Sequence, residues 1–292
     1  MLFIPITIAA ATFQVARNAT QRTLMGAGGP WGATLVRFLY GLPFTAVFLA
    51  IAWMIWPQAS LTATPFFFAA SAIGGASQIG ATAALLSAMQ RSSFALGTAF
   101  QQSLLPFTAI MGFALFGDVL SPQASIGIAV VTLGVGVLSW PKEGVKGDWS
   151  GAWFGLLAGA CFAVSNNAFR QAGLSLGDAP APLAGITTVL TVQAMQTAAL
   201  VAALAVLDRT SLIAAFTHWR PSMRAGFFGA AASACWFTAL AMSPAGPVRA
   251  VGVVEMPLAA LAGQRLFSEK LTPFQWLVGA VTALGVVLAA VG

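Results

Sequence analysis

The 292 residues are 59% hydrophobic and 7% charged, with a mean hydropathy of +0.87. A soluble chain of this length needs far more polar surface, so the composition places the protein in a lipid bilayer. Its formal charge of +6, from 13 Lys and Arg against 7 Asp and Glu, is scattered over short loops with no basic run. That excludes a nucleic-acid surface and points to membrane orientation. Cys161 and Cys235 fall inside apolar segments, where a thiol behaves as a small hydrophobe, and His218 is the single histidine. No disulfide framework, metal site or cofactor is expected.

A helix crosses the ~30 Å hydrocarbon core in roughly 20 residues. On that measure the chain reads as ten spans, at 2–20, 31–56, 65–89, 94–116, 122–140, 150–174, 182–207, 222–242, 246–266 and 273–291. The opening MLFIPITIAAATF has no positive leader region and reads as a retained first span. The apolar runs are continuous rather than alternating, which favours helices over a barrel. Loops are short and rich in Gly, Pro and Ser; residues 208–221 are long enough for a surface segment, with SLIAAF lying in the interface.

Residues 101–135 and 252–286 align without a gap at an offset of 151. Pro106 falls on Pro257, Leu115 on Leu266, Phe116 on Phe267, Leu120 on Leu271, Pro122 on Pro273 and Gly134 on Gly285, with Asp118 facing Glu269 in kind. FQVARNA at 13–19 has a counterpart in FAVSNNA at 162–168. The expected fold is therefore an all-α polytopic membrane protein of two five-helix repeats, residues 1–141 and 150–292. Five is odd, so the second repeat must enter the bilayer from the opposite side, giving inverted repeats.

Odd-numbered loops and their flanks carry Arg22, Arg91, Lys142, Lys146, Arg209, Arg220, Arg224, Arg265 and Lys270, whereas even-numbered loops carry Arg170 and Arg249. Under the positive-inside rule the odd loops are cytoplasmic and both termini extracytoplasmic.

Catalytic machinery is not evident: there is no acidic pair at useful spacing, no phosphate-cradling loop and no metal-ligand cluster. What stands out is Glu255, about 14 Å along the ninth span and so near mid-bilayer. An intramembrane carboxylate marks a pathway or a proton site, or else serves to hold the bundle together by pairing with Arg17 or Arg37. Arg249 and Arg265 lie off its helical face. Pro257, and Pro106 after Gln101 and Gln102, are expected to kink their helices and free the carbonyls of Val253 and Gln102. Gln78, Asn166, Asn167, Gln193 and Trp236 complete the polar candidates, while Arg17 and Arg37 are expected to snorkel toward headgroups.

The ten spans, the two repeats and the segments FGDVLSPQASIGIAVVTLGV and FSEKLTPFQWLVGAVTALGV resemble the drug/metabolite transporter superfamily, and within it the EamA-type transporters. In that family each repeat carries a short acidic turn before a helix with spaced glycines; here the turns are Gly117-Asp118 and Ser268-Glu269. The resemblance implies a central cavity between the repeats, on whose spans Gln78, Gln101, Gln102, Asn166, Trp236 and Glu255 fall and Gln193 does not. It also implies transport of a small-molecule substrate across a bacterial inner membrane, with export of amino acids or relatives as the leading expectation and Glu255 as the candidate for proton coupling. The alternatives are uptake of a vitamin or other nutrient and, from another class, a polytopic enzyme acting on lipid. Many EamA-type proteins keep both termini in the cytoplasm, opposite to the orientation that the Lys and Arg distribution indicates.

Overall fold

The computed structural model of the chain describes residues 2–117, 121–139, 150–268 and 272–291. Asp118, Glu269, Trp140, Lys142, Lys146 and Lys270 lie outside the described residues, so the two acidic turns and part of the charge pattern rest on sequence. Among the described residues the fold is all α-helical: α1 (Phe3–Leu39), α2 (Leu42–Ile55), α3 (Pro65–Arg91), α4 (Phe94–Gln101), α5 (Leu104–Phe116), α6 (Pro122–Ser139), α7 (Ser150–Leu174), α8 (Ala181–Leu207), α9 (Arg209–Thr217), α10 (Trp219–Met242), α11 (Ala245–Gly252), α12 (Glu255–Phe267) and α13 (Pro273–Val291). Six stretches among them are long and apolar enough to cross a membrane: Gly28–Ile55, Pro65–Arg91, Ser150–Leu174, Ala181–Leu207, Trp219–Met242 and Ala245–Phe267.

Burial is inverted relative to a soluble protein. Val47 and Ile51 on α2, Ile110 and Phe113 on α5, Leu133 on α6 and Leu284 on α13 are exposed, while Gln14, Arg17, Asn18, Gln101 and Glu255 are buried. Hydrocarbon accepts the first set, and the second can be satisfied only inside the bundle. Between these layers sit apolar clusters such as Val15, Leu85, Leu86, Met89, Phe94, Leu104 and Phe162.

The first span is longer than the expected 2–20. Helix α1 continues past Thr20 and is interrupted at Gly29, whose φ of 58° and ψ of −172° precede Pro30. Polar residues at 17–21 do not end the helix because they face inward: Gln21 Nε2, for instance, donates to the Ala33 carbonyl at 2.7 Å. Arg17 and Arg37 consequently do not snorkel; both are buried in the bundle. The segment after α8 forms the surface helix α9, started by Asp208, whose Oδ1 accepts from the Ser211 N–H at 3.1 Å. Ile213 and Phe216 on it are exposed.

The fourth and ninth expected spans are each broken in two. Gln102 and Ser103 separate α4 from α5, and Val253 and Val254 separate α11 from α12, at matching positions 151 residues apart. The carbonyls expected to be freed by proline are not free: Leu105 N–H donates to Gln102 O at 3.0 Å and Met256 N–H to Val253 O at 2.8 Å. Pro106 and Pro257 instead stand in the first turn of the following half-helix, where a missing N–H costs nothing. Packing is reciprocal: α1 lies along α10 as α7 lies along α3, and α6 crosses α13 with Gly134 against Thr282 and Gly285 against Val130.

Helices α5 and α12 end in left-handed residues at the same offset, Gly117 (φ 69°) and Ser268 (φ 54°). A side chain there is penalised by about 1–2 kcal/mol. Ser268→Gly is expected to stabilise the protein by about 1 kcal/mol and Gly117→Ala to destabilise it by a similar amount, checked by thermal unfolding in detergent.

Candidate functional site

Helix α1 carries Gln14, Arg17, Asn18 and Gln21, a spacing of three and four residues that sets them on one face. This stripe meets the break between α11 and α12. Glu255 opens α12, where the helix N-terminus favours an anion, and Arg249 sits in the last turn of α11, where the C-terminus favours a cation. Both are buried.

Each oxygen of Glu255 is met by amide donors. Gln14 Nε2 donates to Oε2 at 2.7 Å, Gln102 Nε2 donates to the same oxygen at 3.4 Å, and Asn18 Nδ2 donates to Oε1 at 3.3 Å. The polarity of two of these amides is determined by groups that can only donate. The Trp236 indole Nε1 donates to Gln14 Oε1 at 2.8 Å, which turns the Gln14 amino group toward Glu255. Arg17 Nε and Nη2 donate to Asn18 Oδ1 at 3.1 and 2.6 Å, which turns the Asn18 amino group the same way. The surroundings therefore suit an acceptor-only carboxylate.

Arg249 leaves this chain of bonds in the other direction. Its Nη2 donates to Asn166 Oδ1 on α7, and its guanidinium lies 3.8 Å from the Trp236 ring centroid. Among the described residues Arg249 makes no hydrogen bond or ion pair with Glu255; it enters the network through Asn166 and Trp236 instead. Gly252 closes α11 against Trp236, where an added Cβ would stand 2.5 Å from Cη2. Gly159 on α7 similarly lets the α4–α5 break approach, with Leu104 N 2.8 Å from where its Cβ would be.

Of the expected residues, Gln102, Asn166, Trp236 and Glu255 are joined in this network. Gln101 is fully buried at the end of α4, but both of its amide atoms lack a partner. Gln78 stands apart, accepting from Gln196 Nε2 at 3.0 Å on α8. Gln193 accepts from Thr45 at 2.7 Å, and Asn167 Nδ2 donates to the Ala163 carbonyl of its own helix at 3.0 Å. Arg37 donates from Nη1 to Thr82 at 2.8 Å. Sequence reasoning missed Gln14 and Asn18; the signal was the polar stripe at helical spacing within an otherwise apolar first span. Two apolar cavities, of about 210 and 180 Å³, adjoin the network where α12 faces α13, both lined by Met256, Pro257, Gly279 and Ala283.

The sequence matches no protein-family model and no curated protein. In fold the chain is similar to a solved crystal structure of a protein, with a TM-score of 0.62 and 17% sequence identity over 99% of this chain and 96% of the other. At that identity the likeness is one of fold alone. Fold and buried network together define an all-α, multi-pass membrane protein.

Gln14→Leu removes the acceptor of Trp236 Nε1 and a donor to Glu255 at once. Leaving both buried groups short of a partner is expected to destabilise the protein by about 2–4 kcal/mol, measured by denaturant or thermal unfolding in detergent. A loss below about 1 kcal/mol would mean that the bridge is not a structural tie.

Proposed function

We propose that the chain is a secondary transporter of a bacterial inner membrane that moves small polar metabolites by alternating access; it is the resemblance to EamA-type transporters that points to amino acids and their relatives. One observation carries the reading: two helices broken at equivalent positions meet at a buried carboxylate, with Gln102 beside one break bonded to Glu255 beside the other. Broken helices whose ends face polar groups at mid-bilayer depth are how inverted-repeat transporters hold substrates and coupling ions. In this reading α4 with α5, and α11 with α12, are single interrupted spans, and α1 holds one whole span plus the start of the next. That makes ten spans in two five-span repeats, residues 1–141 and 150–292. The reciprocal packing of α1 on α10 and α7 on α3 supports a twofold relation between the halves, because exchanging the halves exchanges the contacts. The resemblance to EamA-type transporters accords with this, and it favours export over uptake.

Glu255 is the natural seat of a coupling proton, since turning the Gln102 amide, whose polarity no donor-only group among the described residues fixes, accommodates the neutral acid. In proteoliposomes, Glu255→Gln is expected to keep the fold and to abolish the pH dependence of substrate flux. Unchanged pH dependence would remove Glu255 from coupling.

The extracytoplasmic orientation of both termini gains support from Arg249, which is buried in the broken span and belongs to no loop. Of the two exceptions to the charge bias, Arg170 remains. A reporter active solely in the cytoplasm, fused after Gly292, is expected to be silent, and a periplasmic reporter at the same place to be active.

A further inference from the structure

The buried network holds more cation than anion. Arg17, Arg37 and Arg249 are 1%, 2% and 7% exposed, against a single acidic residue, Glu255, at 1% among the described buried residues. They form one group. A Cβ on Gly229 of α10 would lie 3.2 Å from Arg37 Cγ and 3.6 Å from Arg17 Cδ, so both side chains run over the same glycine. Arg17 reaches Glu255 through Asn18, which accepts from Arg17 and donates to the carboxylate, and Arg249 lies on Trp236, whose indole is bonded to the Gln14 that also donates to Glu255. With Glu255 as a carboxylate, three guanidiniums against one anion leave two positive charges without a counter-charge in a bundle surrounded by hydrocarbon.

Spare donors accompany the charge: Arg249 Nε, Arg37 Nε and Asn166 Nδ2 are buried and have no hydrogen-bond partner. Two of them belong to one bonded pair, since Arg249 donates to Asn166 through its other nitrogen, leaving the guanidinium Nε and the amide N–H₂ as spare donors. Trp236 covers one face of that guanidinium, so a ligand would meet its edge, where a planar fork matches an oxyanion. Buried charge of one sign, with spare donors on the bonded Arg249–Asn166 pair, calls for an acceptor-rich anion.

Building on the transporter reading, we propose that the substrate is a small organic dianion, held through carboxylate or phosphate oxygens by Arg249 and Asn166 with Arg37 supplying the second positive charge. A zwitterion would leave the two excess charges as they are. A cation would add to them.

The full-length protein in detergent, at matched ionic strength, is heated with succinate, glycerol phosphate, leucine or choline, and each solute is then tested for flux in proteoliposomes. Succinate or glycerol phosphate at saturation is expected to raise Tm by about 5 °C and to be transported, with leucine and choline inert. Which of the two anions acts distinguishes a carboxylate from a phosphate ligand. Arg249→Gln is expected to remove the shift, and Arg249→Lys to weaken anion affinity at least tenfold, because the charge remains while the fork is lost. Arg37→Gln serves the same purpose if Arg249→Gln fails to fold. Stabilisation and flux with leucine or choline but neither anion would overturn the dianion while leaving a transporter in place. Neither flux nor stabilisation with any of the four would bring down both. An anion shift that survives Arg249→Gln and Arg37→Gln alike would place binding elsewhere and overturn the proposal.

Discussion

A carboxylate enclosed by a membrane protein must be met by donors, and in this chain that requirement ties together helices far apart in sequence. Glu255 on α12 is bonded to Gln14 and Asn18 on α1 and to Gln102 beside α4. Gln14 is in turn held by Trp236 on α10. Because indole and guanidinium groups can only donate, the orientation of Gln14 and Asn18 is set before Glu255 is considered. A slip of α1 by one residue would turn its polar stripe by about 100° and put Val15 and Ala19, or Phe13 and Arg17, where Gln14 and Asn18 meet the carboxylate. The register of α1 against α10 and α12 is thus specified by polarity in a bundle whose apolar contacts alone would tolerate several registers.

The helix breaks are the second consequence of the same constraint. A continuous ninth span would carry Arg249 and Glu255 six residues apart, with no reason for either to be buried. Interrupting it after Gly252 supplies two helix ends, and each charge occupies the end whose dipole suits it. Close approach of neighbouring helices then depends on glycine: Gly252 admits Trp236, and Gly159 admits the backbone at the start of α5. The interrupted segments are also economical in hydrogen bonds, since the short bonds from Leu105 and Met256 satisfy the carbonyls that proline would otherwise orphan.

Much of the architecture was legible from hydropathy and spacing. The expected ends at residues 65, 94, 116, 122, 150, 174, 207, 242 and 273 coincide with observed helix ends, because loop chemistry such as Thr64-Pro65 and Ser121-Pro122 punctuates the apolar runs. A polar cluster at 17–22 looks like a boundary in one dimension, hence the expected end of the first span at Thr20. It is an inward face in three, and the true interruption, at Gly29, follows a stretch of small residues that carries no strong hydropathy signal. Helical-face arguments presume an unbroken helix, and the breaks at QQSL and GVVE, where polar residues and a downstream proline suggest a kink, put Arg249 and Glu255 on separate helices. Glu255, Asn166 and Trp236 could be nominated as buried polar or amphipathic groups, but which of them touch is a property of packing. Gln78 and Gln193 were indistinguishable from Gln102 by depth, and they bond instead to α8 and α2.

The cavities beside the break indicate how a locked network could still permit movement. Both are apolar, both are lined by Met256 and Pro257 at the start of α12, and both face Gly279 and Ala283 on α13. On that side α12 meets space and small side chains, whereas on its inner side Glu255 is held by three amides. A half-helix bonded at one face and loosely packed at the other can tilt about its bonded face without opening the apolar core. The packing of α1 on α10 and of α7 on α3 is more extensive, with a small cavity where Gly28 and Gly32 of α1 meet α9 and Ser222 of α10.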